Sequence, residues 1–221
     1  MSKVIKTKAI VLHEMTIKEN DKRILLFSLD YGKMVVFANG AKKAKSPLLA
    51  GTQPFVFGDF YLYQGASSYT LRQVDIIESF YELRNSMESL SYGLYFLEVV
   101  ASVIQEEDPN EDLLRLLYIT LMTLKEDQVP HKMISAFFEC RALYILGFAP
   151  NLEHMVEVEK VSESVASAFR EVYNMKLSRL YQIQMSDIVF FEFQLILSKY
   201  FIQYVGNHFR SLEFLKSITK R

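Results

Sequence analysis

One feature constrains this 221-residue chain most: its hydrophobic period changes near residue 80. Before that point apolar residues recur every second position; after it they recur at helical spacing. In KVIKTKAIVLHE, Ile5, Thr7, Ala9 and Val11 share one face while Lys6 and Lys8 share the other, the pattern of a half-buried strand. RILLFSL, the turn Asp30-Tyr31-Gly32 and KMVVFAN read as a hairpin. FVFGDFYLY and YTLRQVDII follow, joined by the turn-like Gln64-Gly65-Ala66-Ser67-Ser68. Five short antiparallel strands avoid exposed edges by closing, so a small barrel is expected, its longest connection lying between the third and fourth strands.

From about Ser86 the pattern is helical. MESLSYGLYFLEVVASVIQ ends at Asp108-Pro109-Asn110, and Asn110 is placed to N-cap EDLLRLLYITLMTLKE, which has acids at its start and Lys125 near its end, as the helix dipole favours. Pro130 suits the first turn of HKMISAFFECRALYIL, and Gly147 its C-cap. NLEHMVEVEK carries no clear signal. Ser162 opens SESVASAFREVYN, Ser186 opens DIVFFEFQLILSKYFIQYV, and a short last helix is expected near Leu212. The expected class is α+β, with an N-terminal five-stranded β barrel over residues 1–82 and an all-α domain over 83–221. There is no internal repeat.

Half the residues are apolar, which argues for a packed core rather than disorder. Charge interrupts every apolar run well before the ~18 residues of a membrane span. MSKVIKTKAIVLHE lacks the continuous apolar core of a signal peptide. The single cysteine, Cys140, can form no intrachain disulfide and reads as a small buried hydrophobe, so a cytoplasmic setting is expected.

The net charge of −1 is unevenly distributed. Residues 1–80 hold 11 Lys+Arg against 7 Asp+Glu, whereas residues 81–221 hold 14 against 19. The sign reverses again over 199–221, where Lys199, Arg210, Lys216, Lys220 and Arg221 face Glu213 alone. The sharpest concentration is NGAKKAKSPLLAGTQPF. Lys42, Lys43 and Lys45 crowd four positions, and no carboxylate occurs between Asp30 and Asp59. Such a loop is either merely solvated or a contact for a polyanion. Strand parity puts Val35, Phe37 and Asn39 on the face of Lys33, and Phe57, Tyr61 and Tyr63 on the face of Asp59. Those aromatics either stack on bases or bury themselves against the helical half.

The order of these features resembles the RecO family of bacterial recombination mediators. The matching residues are Ile10-Val11-Leu12, Glu19-Asn20-Asp21-Lys22, Tyr31-Gly32-Lys33 and Asn39-Gly40-Ala41-Lys42-Lys43-Ala44-Lys45-Ser46. Thr52-Gln53-Pro54-Phe55 and Ile77-Glu78-Ser79-Phe80 follow. Phe138-Glu139-x-Arg141, then Leu146-Gly147-Phe148-Ala149-Pro150, match a central helix and its exit. The resemblance covers most of residues 1–150. Two departures stand out. Many members carry a four-cysteine zinc module after that proline; here 11 residues separate Pro150 from Ser162, without cysteine and with His154 alone, so no metal site is expected. Near the C-terminus Arg210-Ser211-Leu212 replaces the frequent Lys-Ser-Arg, one positive charge short.

The resemblance implies that the barrel is of oligonucleotide-binding (OB) type. It also implies a recombination mediator that binds single-stranded and duplex DNA, anneals strands, and with RecR helps RecA displace single-stranded-DNA-binding protein. The candidate DNA contacts are Lys42, Lys43 and Lys45, with Lys33, Lys22, Arg23, Arg72 and Arg210 as companions. Phe137, Phe138 and Arg141 are candidates for a pocket taking the acidic tail of single-stranded-DNA-binding protein. A cofactor-free, nucleoid-associated monomer is expected. No phosphate loop, GxSxG or HExxH occurs, and His13, His131, His154 and His208 are scattered, so no enzymatic role is expected. An OB-fold RNA- or tRNA-binding protein and a protein-only scaffold are the alternatives.

Overall fold

The structure, a computed structural model, describes residues 3–66 and 68–219. Met1, Ser2, Ser67, Lys220, Arg221 and the side chains of Lys216, Ile218 and Thr219 lie outside it, so the 65–68 turn and the basic C-terminal end are described only in part. Strands β1 (Lys3–Thr16), β2 (Lys22–Ser28), β3 (Gly32–Ala38), β4 (Phe57–Gln64) and β5 (Tyr69–Glu78) close into a barrel of order β1-β2-β3-β5-β4. All neighbours are antiparallel except β3 and β5, which pair in parallel at Val36 with Tyr69 and Phe37 with Thr70. This is the OB-type barrel that the resemblance implied. A short helix, α1 (Leu48–Gly51), lies in the long β3–β4 connection and was not legible as a helix. Alternation fills the interior as read: Ala9, Val11, Leu26, Val36, Phe60 and Leu62 are fully buried there.

The helical half comprises α2 (Met87–Val103), α3 (Glu111–Glu126), α4 (His131–Ile145), α5 (Leu152–Glu157), α6 (Glu163–Asn174), α7 (Asp187–Tyr204) and α8 (Arg210–Thr219), with 3₁₀ turns at Tyr81–Asn85 and Leu177–Gln182. None of the described helices is long and apolar enough to cross a membrane. The caps act as expected. The Asn110 side chain accepts the Leu113 N–H at 2.9 Å, and Ser162 and Ser186 accept from Val165 and Val189. Gly147 has φ +79°, the left-handed closure that lets the Phe148 N–H reach the Leu143 carbonyl at 2.8 Å. Pro130 stands just before α4, as its N-cap rather than inside its first turn. α5 occupies the ambiguous stretch after Pro150.

The barrel interior is one apolar cluster, and the barrel's outer wall shares a second with the helices. Ile10 and Leu12 emerge on the outer face of β1, and with Phe27, Phe55 and Phe80 they join Tyr95, Phe96 and Phe138. β1 is therefore buried on both faces from Ala9 to Leu12, which hides its alternation there. Phe55 and Phe80 hold φ of 78° and 49°, unusual for non-glycine residues, and both are sealed in this core. Phe57 of β4 lies 4.7 Å, ring centroid to ring centroid, from Tyr118 of α3, so this aromatic is half-buried against the helices. Glu78 ties the junction: its carboxylate accepts the Ser79 and Phe80 N–H groups and the Lys125 ammonium at 2.8 to 2.9 Å. Gly32, at φ +63°, lies so close to the 105–108 backbone that a Cβ would stand 2.5 Å from the Asp108 carbonyl oxygen.

α4 runs through the middle of the helical half, with Phe137, Phe138, Cys140 and Leu143 all buried. Its one enclosed carboxylate, Glu139, accepts hydrogen bonds from Tyr95 at 2.9 Å and Ser135 at 2.7 Å. Burial pushes it up from 4.5 to about 7, against the pull of those two hydroxyls. The folded chain thus holds this proton more tightly than the unfolded chain. The resulting stability is full below about pH 4.5 and is lost as pH rises towards 7. Urea unfolding at pH 5 and pH 8 should show this loss, on the order of 3 kcal/mol from Glu139, and Glu139→Gln should markedly reduce the dependence.

Candidate nucleic-acid interface

The lysine loop, residues 39–46, leaves β3 and is fixed by its backbone. The Gly40 N–H donates to the Asp21 carboxylate at 2.8 Å and the Lys42 N–H to the Asn20 carbonyl at 3.0 Å, both in the β1–β2 loop. Within the loop, Lys43 and Ser46 donate to the carbonyls of Gly40 and Lys43. These bonds leave the side chains of Lys42, Lys43 and Lys45 exposed, and among the described residues none of the three makes an ion pair. Asp21, the nearest acid by hydrogen bonding, is engaged by the backbone rather than by an ammonium. Lys18, exposed in the β1–β2 loop, adds a fourth cation to this edge; it sits among acids in IKEND, so sequence alone gave no reason to single it out.

Beside the loop, the pairing registers align an outward-facing row across the barrel wall. Met15 stands opposite Arg23, Arg23 opposite Phe37, Phe37 opposite Thr70, and Thr70 opposite Tyr63. Arg23 is exposed, with its guanidinium 3.6 Å from the Met15 sulfur, and Phe37 is half-buried. Exposed Arg72 sits over the Tyr63 ring, 5.7 Å from its centroid. Phe37 and Tyr63 are two strands apart, roughly 10 Å. Guanidinium groups beside aromatic rings on a barrel wall are the side-chain types with which OB folds meet phosphates and stack on bases. Tyr61 is different: it lies half-buried beneath Lys6, at 5.3 Å. Lys6 and Lys8 both pair with Asp59 at 3.0 Å, and their hydrogen bonds, that of Lys6 foremost, hold its carboxyl below the usual range.

Several sequence candidates are placed elsewhere. Lys22 is buried, its ammonium against Glu14 across the β1–β2 hairpin, and is no open contact. Lys33 donates to the Ala101 carbonyl at 3.0 Å, spending its charge on the C-terminal end of α2, where the helix dipole is negative. Phe137 and Phe138 are fully buried and cannot line an open pocket; α4 is apolar nearly all round because other helices surround it. The Arg141 guanidinium caps α6 instead, donating from Nη1 to the Val172 carbonyl at 2.8 Å and to that of Tyr173, while its Nε is buried without a partner. Arg210, at the start of α8, is exposed. It lines a cavity between β1, α2 and α8 that also holds Glu14 and Glu98.

Two family profiles match the chain: Recombination protein O N terminal over residues 1–80, and Recombination protein O C terminal over residues 84–160. The chain is 30% identical to the DNA repair protein RecO of Acetivibrio thermocellus, over 98% of each chain. It is 37% identical to that of Alkaliphilus metalliredigens over 73% of this chain and 65% of the relative. With that of Clostridium novyi it shares 35% identity over 68% and 59% respectively.

The divided fate of the basic residues yields a test. Lys22→Ala should cost stability on the order of 2 kcal/mol in urea unfolding, because Glu14 loses its buried partner. It should leave the salt dependence of oligonucleotide binding unchanged.

Proposed function

The chain belongs to the RecO family of DNA repair proteins, and from that premise we propose a recombination mediator that holds DNA on the lysine loop and the adjoining β wall. The observation that carries this reading is the exposure of three unpaired ammonium groups on a loop tied to the barrel by backbone hydrogen bonds. Phosphate contacts of this kind carry no sequence information, which suits a protein that must act on any strand. Phe37 and Tyr63 stack on bases with equal indifference to sequence. The protein binds single-stranded DNA first and duplex through the same cations. It anneals complementary strands by neutralising their mutual repulsion, and it does so by binding alone, without turnover or cofactor.

In this reading the helical half receives single-stranded-DNA-binding protein, and with RecR the chain helps load RecA at the nucleoid in the cytoplasm. An acidic, phenylalanine-ended tail needs an apolar hole beside a cation. With Phe137 and Phe138 sealed in the core, the hole that fits is a cavity of about 400 Å³ between the barrel and α3, walled by Phe57, Ile77, Leu114 and Tyr118, where an incoming carboxylate would draw Arg115 from its exposed 3.6 Å pairing with Glu111.

Binding to labelled oligo(dT) should weaken with salt along a log–log slope of roughly −3, about 50-fold from 50 to 200 mM, if four phosphates are contacted. Lys42→Ala/Lys43→Ala/Lys45→Ala should make that slope shallower by roughly 2. An unchanged slope moves the DNA site off this loop. Phe37→Ala should weaken binding by roughly 1 to 3 kcal/mol at every salt concentration, since stacking releases no counterions.

A further inference from the structure

Helix α7 is buried along one side only. Phe193, Leu197 and Phe201 enter the core. On another side Ile188, Phe191, Leu195 and Ile202 stand 74, 68, 54 and 51% exposed. Their spacing of three, four and seven residues draws them into one stripe, with Ser198 in the remaining position of the heptad pattern. Single exposed apolar residues are ordinary, but a stripe of four on one helix marks a docking face.

The edge of the stripe identifies what docks. Glu192 and Lys199 flank it on the same side, seven residues and so roughly 10 Å apart along the axis, too far to pair with each other. Lys199 makes no ion pair among the described residues, and Glu192 accepts only a 3.4 Å hydrogen bond from Ser162. Set against an antiparallel copy of itself about a two-fold axis near Leu195, the helix complements its own pattern. Leu195 meets Leu195, Ile188 meets Ile202, bulky Phe191 meets small Ser198, and Glu192 faces Lys199 twice over. A face that satisfies its own charge and shape under a two-fold rotation is the signature of an isologous contact.

We propose that α7 is a self-association face on which a second copy of this chain docks antiparallel. The four side chains offer on the order of 400 Å² per chain, roughly 800 Å² for the pair, below the ~1,000 Å² of a permanent interface. The dimer is therefore weak, forming as concentration rises, and it modifies the expectation of a monomer. It is independent of where DNA binds.

Sedimentation equilibrium of the full chain over roughly 1 to 500 µM, the range in which so small an interface titrates, reads the proposal directly. The average mass should climb from one chain towards two. Leu195→Glu should abolish the climb while leaving the urea midpoint unchanged, since the side chain is half exposed. Glu192→Lys and Lys199→Glu should each weaken association by roughly tenfold, by placing like charges opposite each other. The double charge swap Glu192→Lys/Lys199→Glu should restore it, because opposite charges then face each other again across the two-fold axis. A single-chain mass throughout, association indifferent to Leu195→Glu, or a double swap no better than its singles would overturn the proposal.

Discussion

The burial of one wall of the barrel against the helices is the constraint on which the rest depends. A five-stranded barrel alone encloses little apolar volume, and here Ile10, Leu12, Phe27, Phe55 and Phe80, outside the barrel interior, build a second core with α2, α3 and α4. Two phenylalanines accept left-handed backbone to take part, which only a close-packed surrounding can hold in place. Once the β1–β4 side is committed in this way, Phe57 is held against Tyr118 of α3 and is not part of the row beside the lysine loop. The stretch that remains open is the row of Arg23, Phe37, Thr70 and Tyr63, next to the lysine loop.

That commitment also sorts the positive charges. Lys33 is drawn to the end of α2, Lys125 to Glu78 and Glu82, Lys6 and Lys8 to Asp59, and Arg141 to the end of α6. Each stitches one element to another and has little left to offer a polyanion. The loop lysines escape because their anchors are backbone amides. Asp21 and Asn20 hold the chain at Gly40 and Lys42 and leave the side chains unclaimed.

How much of this was legible from sequence follows the range of the interactions. Strand parity, the caps at Asn110, Ser162 and Ser186, and the closure at Gly147 depend on neighbours a few residues away, and all were readable. The fates of Lys33 and Arg141 were not, because their partners lie 68 and 31 residues off and are carbonyl oxygens that every residue possesses. Lys22 was misread for a subtler reason. Its partner Glu14 is close in sequence but becomes its neighbour only through the hairpin register, which a bulge between Val11 and His13 shifts by one. Phe137 and Phe138 were consistent with either core or pocket. Periodicity shows that a helix face is apolar and leaves open what covers it.

The tethering of residues 39–46 bears on the entropy of recognition. A floppy tether would have to surrender backbone freedom, roughly 1 to 2 kcal/mol per residue, each time it closed on a strand. Here that cost is met once, during folding, by amide hydrogen bonds to a neighbouring turn. In the proposed DNA complex, what remains to be frozen on encounter is the rotation of a few alkyl stems.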